Sequence, residues 1–318
     1  MQHIISVQNV IKNYGTHRAV DDVSFDVRAG EIFAMLGPNG AGKSSTIRMI
    51  LDIIRPDSGT IQVMGSKINE KTKDIIGYLP EERGLYKDVK VIDVMVYIGT
   101  LKGLSNAEAR KRSMALLEQL ELAENANQKV KELSKGMQQK IQFAVTILHE
   151  PQIIIIDEPF SGLDPVNTRM IKDILLQLRE KGTVIIMSTH QMHQVEEMAD
   201  RLMMINRGRR VLYGEVSDIR RQYAEHAVVI EGEGNWEALP GVSGIRKDQN
   251  SRDGILLYLE QGTTPDDIMG EIARSTQHRI DRFQLALPSL TDVFIASAGE
   301  SIEEAERQHQ EQKEVTHV

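Results

Sequence analysis

The chain contains no cysteine. Disulfides, thiolate metal sites and cysteine nucleophiles are therefore excluded, and a reducing compartment suits it. Long apolar runs are missing too. Apolar runs such as residues 32–36 or 153–156, which stops at Asp157, reach five residues at most, far short of the roughly 18 residues a membrane-spanning helix requires. No basic stretch followed by an apolar one opens the chain, so no signal peptide is expected. Basic residues do not predominate either: 38 Lys and Arg stand against 46 Asp and Glu, a net charge of −8. That balance gives no broad basic footprint for nucleic acid. No internal repeat is found.

What is present reads as a globular protein. At 318 residues the chain is long enough for two domains. Its 41% hydrophobic and 26% charged residues are ordinary for a folded chain and exclude wholesale disorder. The acidity is lopsided. Residues 1–220 hold 29 basic and 28 acidic residues, whereas residues 221–318 hold 9 and 18. Such asymmetry points to separate modules.

In the first module, residues 4–10 and 20–28 read as strands, and residues 32–36, 153–156 and 184–187 as short apolar strands buried on both faces. Helical periods cover residues 44–54, 92–122 and 136–149. Ser105 with Glu108 three residues on suggests a capping box. Strands alternating with helices argue an α/β core. Beyond residue 220 the pattern changes. Strands are expected at 228–231, 242–247, 255–260 and 278–287. Thr264-Pro265 opens a helix to about Arg274, and a shorter helix is expected near Trp236. This order suggests a small ferredoxin-like α+β domain. Residues 300–318 are almost all polar and read as a flexible tail.

Gly37-Pro38-Asn39-Gly40-Ala41-Gly42-Lys43-Ser44 matches the phosphate-loop pattern in full. A buried strand precedes it and a helix follows, so its backbone N–H groups form an anion nest at a helix start. Side chains at the glycines would block the approach of phosphates. Lys43 is placed to bridge β- and γ-phosphates, and the Ser44 hydroxyl to ligate Mg²⁺. Both flanks outweigh the plainer reading, a glycine-rich strand-to-helix turn. By itself the motif specifies only a nucleoside triphosphate. Asp157 and Glu158 end the strand at 153–156, where α/β sheets deliver side chains to a ligand. Next to a phosphate loop, Asp157 is expected to hold Mg²⁺ through water and Glu158 to polarise the attacking water. Without that loop they would read as solvated carboxylates. His190 follows Ser188-Thr189 at another strand end, and alone it reads as a hydrogen-bonded scaffold residue.

Two further motifs complete an ordered set. Leu133-Ser134-Lys135-Gly136-Met137 precedes Asp157, and Ser161-Gly162-Leu163-Asp164-Pro165 follows Glu158. With the phosphate loop, Asp157-Glu158 and His190, this set resembles an ABC-type ATPase subunit over about residues 3–215. The resemblance implies a P-loop NTPase with a β-subdomain and a helical subdomain, followed by the small α+β domain. The boundaries are then 1–220, 221–299 and 300–318. It implies that Tyr14 stacks on adenine, although alone it would pass for a surface tyrosine. Ser45 would contact the α-phosphate, and His190 would hold the γ-phosphate and orient Glu158. Ser134 and Gly136 would touch the γ-phosphate of ATP held by a second subunit, with Asp164 coupling the two sites. Dimerisation, as a homodimer or with a paired ATPase subunit, is therefore expected, with ATP and Mg²⁺ at the interface.

Two departures from the family pattern stand out. Lys135 and Met137 replace the usual glycine and glutamine of the signature. After Gly77-Tyr78-Leu79-Pro80, Glu81 stands where glutamine is usual; a carboxylate there still meets Mg²⁺ or water, but adds negative charge beside the phosphates. The run from Pro80 to Tyr86 and the ending Pro288-Ser289-Leu290-Thr291-Asp292-Val293-Phe294 resemble export-type subunits, including sodium-efflux-like systems, that carry a small domain after the ATPase. The function implied is ATP hydrolysis for an exporter, peripheral on the cytoplasmic face of the cell membrane, with separate membrane-spanning partners docked on about residues 76–104. Two alternatives remain open. A soluble ABC ATPase acting on ribosomes or DNA would usually carry a second ATPase unit or a long coiled coil, and the chain has neither. A non-hydrolysing nucleotide switch would lack hydrolytic residues. The Arg207-Gly208-Arg209-Arg210 cluster reads as a solvated loop.

Overall fold

The computed structural model describes residues 3–82, 84–247, 254–275 and 277–297. The tail expected at 300–318 and Arg83 lie outside the described residues. The chain divides into two compact units, Met1–Val216 and Ser217–Gly299.

In chain order the first unit runs β1 (His3–Tyr14), β2 (His17–Arg28), β3 (Ile32–Leu36), α1 (Lys43–Ile50), β4 (Ser58–Val63), α2 (Glu70–Asp74), β5 (Ile76–Leu79), α3 (Val91–Leu101), α4 (Asn106–Gln119), α5 (Lys135–Ile147), β6 (Ile153–Asp157), α6 (Pro165–Glu180), β7 (Val184–Thr189), α7 (Met192–Met198), β8 (Arg201–Asn206) and β9 (Arg209–Glu215). The central sheet has the order β5-β6-β7-β3-β8-β9. Its pairs are parallel up to β8, and β9 returns antiparallel. Every residue of β3, β6 and β7 is buried, which is why these strands are apolar on both faces. A second, antiparallel sheet has the order β2-β1-β4. The α3 and α4 helices pack on each other and on α5.

Two expected helices are shorter than their apolar period suggested. The stretch 92–122 breaks into α3 and α4 at Gly103, whose φ is +87°. There the N–H of Leu104 reaches back to the Gly99 carbonyl at 3.1 Å, a left-handed helix ending that glycine makes easy. Ser105 then caps α4, accepting from the Glu108 N–H at 3.2 Å. Only that half of the expected capping box forms, because the Glu108 carboxylate pairs with Arg112 instead. Likewise α1 stops at Ile50 rather than Ile54; Asp52 has a φ of +55° and the Ile53 N–H returns to the Arg48 carbonyl. The arginine cluster at 207–210 is part turn and part strand, Arg209 and Arg210 belonging to β9. Arg207 and Gly208, both at positive φ, make the tight turn of the β8–β9 hairpin, and Arg209 pairs with Asp21 at 2.7 Å.

The second unit opens with α8 (Val216–Gln222), at whose first residue the division falls. It continues β10 (Ala227–Glu233), β11 (Val242–Lys247), β12 (Ile255–Leu259), α9 (Pro265–Arg274) and β13 (Arg279–Leu285). The sheet order β11-β12-β10-β13, with every neighbouring pair antiparallel, is the ferredoxin-like arrangement. The helix expected near Trp236 is a single 3₁₀ turn, Trp236–Ala238. Alternation sorts the strands: Val228, Ile230, Leu257 and Leu259 face Trp236, Ile268 and Ile272, while Ala227, Val229 and Leu256 form a second cluster on the opposite face. Thr264 and Asp267 make a full capping box at the start of α9.

The half-buried ring of His149 is expected to make the first unit acid-sensitive. His149, just past α5, bonds through Nε2 to the Ile76 carbonyl at 3.3 Å, and Lys102 Nζ donates to the same oxygen at 3.1 Å. Burial, and then the neighbouring Lys102 cation, lower the His149 pKa from 6.5 to about 4. In the unfolded chain His149 takes up a proton near its ordinary value; in the fold it does not until about pH 4. Stability from this group is therefore complete above about pH 6.5 and is lost as pH falls toward 4. His149→Gln should flatten the decline of Tm between pH 7 and pH 5, measured by thermal unfolding of the full chain; an unchanged decline would remove His149 from this role.

Candidate active site

The turn between β3 and α1 carries the phosphate-loop residues. Gly37 has φ +154° and Gly42 φ +111°, conformations that side chains rarely take. Their hydrogens also point at backbone. A Cβ on Gly37 would lie 2.2 Å from the Ile205 carbonyl oxygen, and one on Gly42 2.4 Å from that of Ala19. Glycine is required twice over, by φ and by space. Thr46 ties down the helix start, its hydroxyl donating to the Gly42 carbonyl at 2.9 Å. Pro38 and Ala41 close the turn through an Ala41 N–H to Pro38 carbonyl bond of 3.2 Å.

Lys43 is buried at 6% exposure. Its ammonium donates to the Gly37 and Pro38 carbonyls at 2.7 and 3.1 Å. Burial lowers its pKa, while the carboxylates of Glu158, Asp157 and Glu81 pull it back up. Desolvation strengthens the interaction of this ammonium with the charged groups around it.

β6 delivers the other half. Asp157, its last residue, accepts from the Ser188 hydroxyl of β7. Glu158 follows at φ +52°, a left-handed backbone that costs a non-glycine residue about 1–3 kcal/mol and tends to mark functional sites. Its N–H is taken by the Ser188 carbonyl at 3.0 Å. Its carboxylate, almost fully buried, accepts from the Thr189 hydroxyl at 3.2 Å and the His190 N–H at 3.1 Å, and lies 2.7 Å from His190 Nδ1. The end of β7 and the residue after it thus fix both acids through Ser188, Thr189 and His190.

One cavity of about 480 Å³ collects most of the sequence-derived residues: Tyr14, Asn39, Gly40, Gly42, Lys43, Ser44, Ser45, Glu81, Asp157 and Glu158. Tyr14 is 46% exposed, with its hydroxyl 3.4 Å from Ser45 Oγ. His190 reaches the site through Glu158. Ser134, Gly136 and Asp164 do not line this cavity. Ser134 caps α5, accepting from the Met137 N–H at 3.2 Å. Asp164 caps α6, accepting from the Asn167 N–H at 2.9 Å, a bond that holds its pKa down. The buried Lys140 of α5 donates to Asn167 at 3.0 Å. Through Lys140 and Asn167 the body of α5 is thus tied to the start of α6. The cavity also includes His17 and Ala19, which sequence reasoning missed. The signal was the short spacing Tyr14-Gly15-Thr16-His17: a tight hairpin pairs Tyr14 with His17 across β1 and β2.

A strand, a glycine-rich phosphate turn and paired acids at the end of β6, one strand removed from β3 in the sheet, define a P-loop NTPase. The comparisons specify it further. A family model described as "ABC transporter" matches residues 20–161, and one described as "ATP-binding protein DrrA1-3-like, C-terminal domain" matches residues 214–298. The chain is 39% identical over 298 residues to the ABC transporter ATP-binding protein YhaQ of Bacillus subtilis strain 168, covering 93% of this chain and 99% of the relative. It is 36% identical over 219 residues to the linearmycin resistance ATP-binding protein LnrL of the same organism, covering 68% and 70% of the two chains. A solved ATP-binding subunit of an ABC transporter superposes with a TM-score of 0.64 at 32% identity, over 69% of this chain and 93% of that one. The chain therefore belongs to the ABC transporter ATP-binding proteins. It is an ATPase subunit with a DrrA-like C-terminal domain.

Gly42→Ala tests the turn geometry directly. The added methyl has to displace the Ala19 backbone, so ATP affinity is expected to fall by at least about tenfold while the chain stays folded, since the strain is local. Calorimetric titration with ATP reads this; wild-type affinity would show that the turn tolerates a Cβ.

Proposed function

We propose that this chain is the ATP-hydrolysing subunit of an exporter, working as one of two ATPase subunits beside separate membrane-spanning partners. The observation that carries the reading is the separation of two anion-binding groups on one chain. The cavity holds Lys43, Ser44, Asp157 and Glu158, while Ser134 and Gly136 stand at another helix start with Asp164 nearby. A second ATPase subunit offering its Ser134 and Gly136 over this cavity would complete the phosphate cage, since helix N-termini favour anions.

In that arrangement Tyr14 stacks on adenine and Ser45 meets the α-phosphate. The nest at residues 37–44 and Lys43 hold the β- and γ-phosphates. Glu158 takes the proton of the attacking water. His190, bonded to Glu158, aims it and touches the γ-phosphate. Asp164 relays between the two sites through Asn167 and Lys140. The donors also suit Mg²⁺. Ser44, Asp157 and Glu81 share the cavity, and all offer hard oxygens. Among the described residues no cluster of three or more acidic, histidine or cysteine side chains could hold a metal by itself, which fits an ion shared with phosphates rather than caged by protein. When bound, Mg²⁺ would neutralise phosphate charge.

Export is supported by the relative named for linearmycin resistance and by an apolar surface. No helix of the described residues is long and apolar enough to cross a membrane. Tyr86, Tyr97 and Leu101 are 56%, 48% and 66% exposed, and the two tyrosines meet edge to face at 5.9 Å. They lie within the expected docking segment, residues 76–104. A membrane-spanning subunit seated there would place the chain on the cytoplasmic face of the membrane. The acidic C-terminal unit then serves regulation or stabilises the pair.

Glu158→Gln keeps the shape of the site and removes the base. It should bind ATP, lose at least about 100-fold in turnover, and accumulate as an ATP-bound dimer on size exclusion with light scattering. Turnover at the wild-type rate would exclude Glu158 as the base.

A further inference from the structure

The edge strand β5 pairs with β6 only as far as Leu79 opposite Ile156. Beyond that point Pro80, Glu81 and Glu82 continue without a strand partner. Their free side meets α5. A Cβ on Gly77 would lie 2.3 Å from the Thr146 carbonyl, so helix and strand are in close contact. Thr146 Oγ1 lies 3.5 Å from the Tyr78 carbonyl. One turn earlier, Gln142 Nε2 donates to the Pro80 carbonyl at 3.4 Å and to the Glu82 carbonyl at 3.1 Å. Side chains of α5 thus stand in for the missing neighbouring strand.

Gln142 is 4% exposed. Carbonyls only accept, so the two oxygens facing it fix its amide with nitrogen toward them. That leaves Oε1 buried with no partner. A buried orphan acceptor is unfavourable, and a methionine of similar volume would fill the space without it. Packing alone does not call for an amide here. What the amide achieves is to grip the backbone on both sides of Glu81, whose side chain lines the cavity with Ser44, Asp157 and Glu158.

We propose that Gln142 is a positioning residue, setting where Glu81 stands in the cavity and tying it to the helix that Ser134 caps. The inference rests on the Mg²⁺-ATP reading of that cavity. Through it, contact of a second subunit's nucleotide with Ser134 and Gly136 is felt at Glu81 as well as at Asp164. One helix then reports nucleotide capture to two points.

The test uses full-length Gln142→Met, Gln142→Asn and Glu81→Gln, with the double variant Gln142→Met/Glu81→Gln. Steady-state turnover at saturating ATP is measured against Mg²⁺ concentration, alongside Mg²⁺-free binding of a fluorescent ATP analogue and Tm. Gln142→Met should raise the Mg²⁺ concentration for half-maximal turnover by about tenfold, the scale of losing a residue that orients a metal ligand. Mg²⁺-free binding should stay at the wild-type level. In the Glu81→Gln background the substitution should add nothing to the Mg²⁺ requirement. Should the Met variant fail to fold, Gln142→Asn, whose amide falls short of both carbonyls, is expected to give the same shift. An unchanged Mg²⁺ requirement in the folded variants, or an equal increment with and without Glu81, overturns the inference. A wild-type chain with no Mg²⁺-dependent turnover overturns the parent reading, and this one with it.

Discussion

Everything in the ATPase unit serves one constraint: a turn of backbone amides must stay bare enough to be reached by phosphates. At Gly37 and Gly42 the missing side chains let the turn between β3 and α1 press against the carbonyls of Ile205 and Ala19, while its other side lines the cavity. Those two carbonyls come from β8 and β2, so the nest is held by both sheets of the unit. The fully buried apolar strands β3, β6 and β7 supply the rigid floor.

The second constraint is charge. Asp157 and Glu158 are adjacent, buried acids beside a buried lysine. Two such carboxylates are stable only if the protein supplies donors. The end of β7 supplies them through Ser188 and Thr189, and His190 just beyond it, because the pairing with β6 runs one step past the apolar run, to Asp157 opposite Ser188. Register therefore decides the chemistry. A shift of one residue would turn these polar side chains to the wrong face of the sheet. The left-handed backbone of Glu158 is tolerated because its N–H, carboxylate and carbonyl all have partners.

Much of this was legible in the sequence because it is local. The strand, glycine turn and Lys43-Ser44 lie together in residues 32–44, and the polar ends of β6 and β7 are written directly after their apolar runs. The ferredoxin-like order of the C-terminal unit could likewise be read from its spacing. What escaped depends on turns and on contacts far apart in sequence. The apolar period through 92–122 is continuous and masked the break that the Ser105 cap signalled, where the left-handed Gly103 ends α3 and α4 begins. His17 and Ala19 join the cavity because a hairpin folds them beside Tyr14. Gln142 and the backbone around Glu81 are 60 residues apart; no periodicity announces a glutamine that replaces a strand. The motif at 133–137 was visible as a motif, but its distance from the cavity of its own chain is a fact of three dimensions.

That distance is the heart of the account. The cavity has its cation, its acids and its bare amides, yet Ser134, Gly136 and Asp164 stand on a different part of the same chain, and we read them as belonging to the site of a second subunit. The most direct measurement is the specific ATPase activity of the purified wild-type chain as a function of its concentration, at saturating Mg²⁺-ATP. Sites completed by a second copy predict that turnover per chain rises with concentration and then levels off as pairs form. Turnover per chain that is constant and substantial down to the lowest concentrations, where light scattering finds monomer with ATP bound, would contradict it.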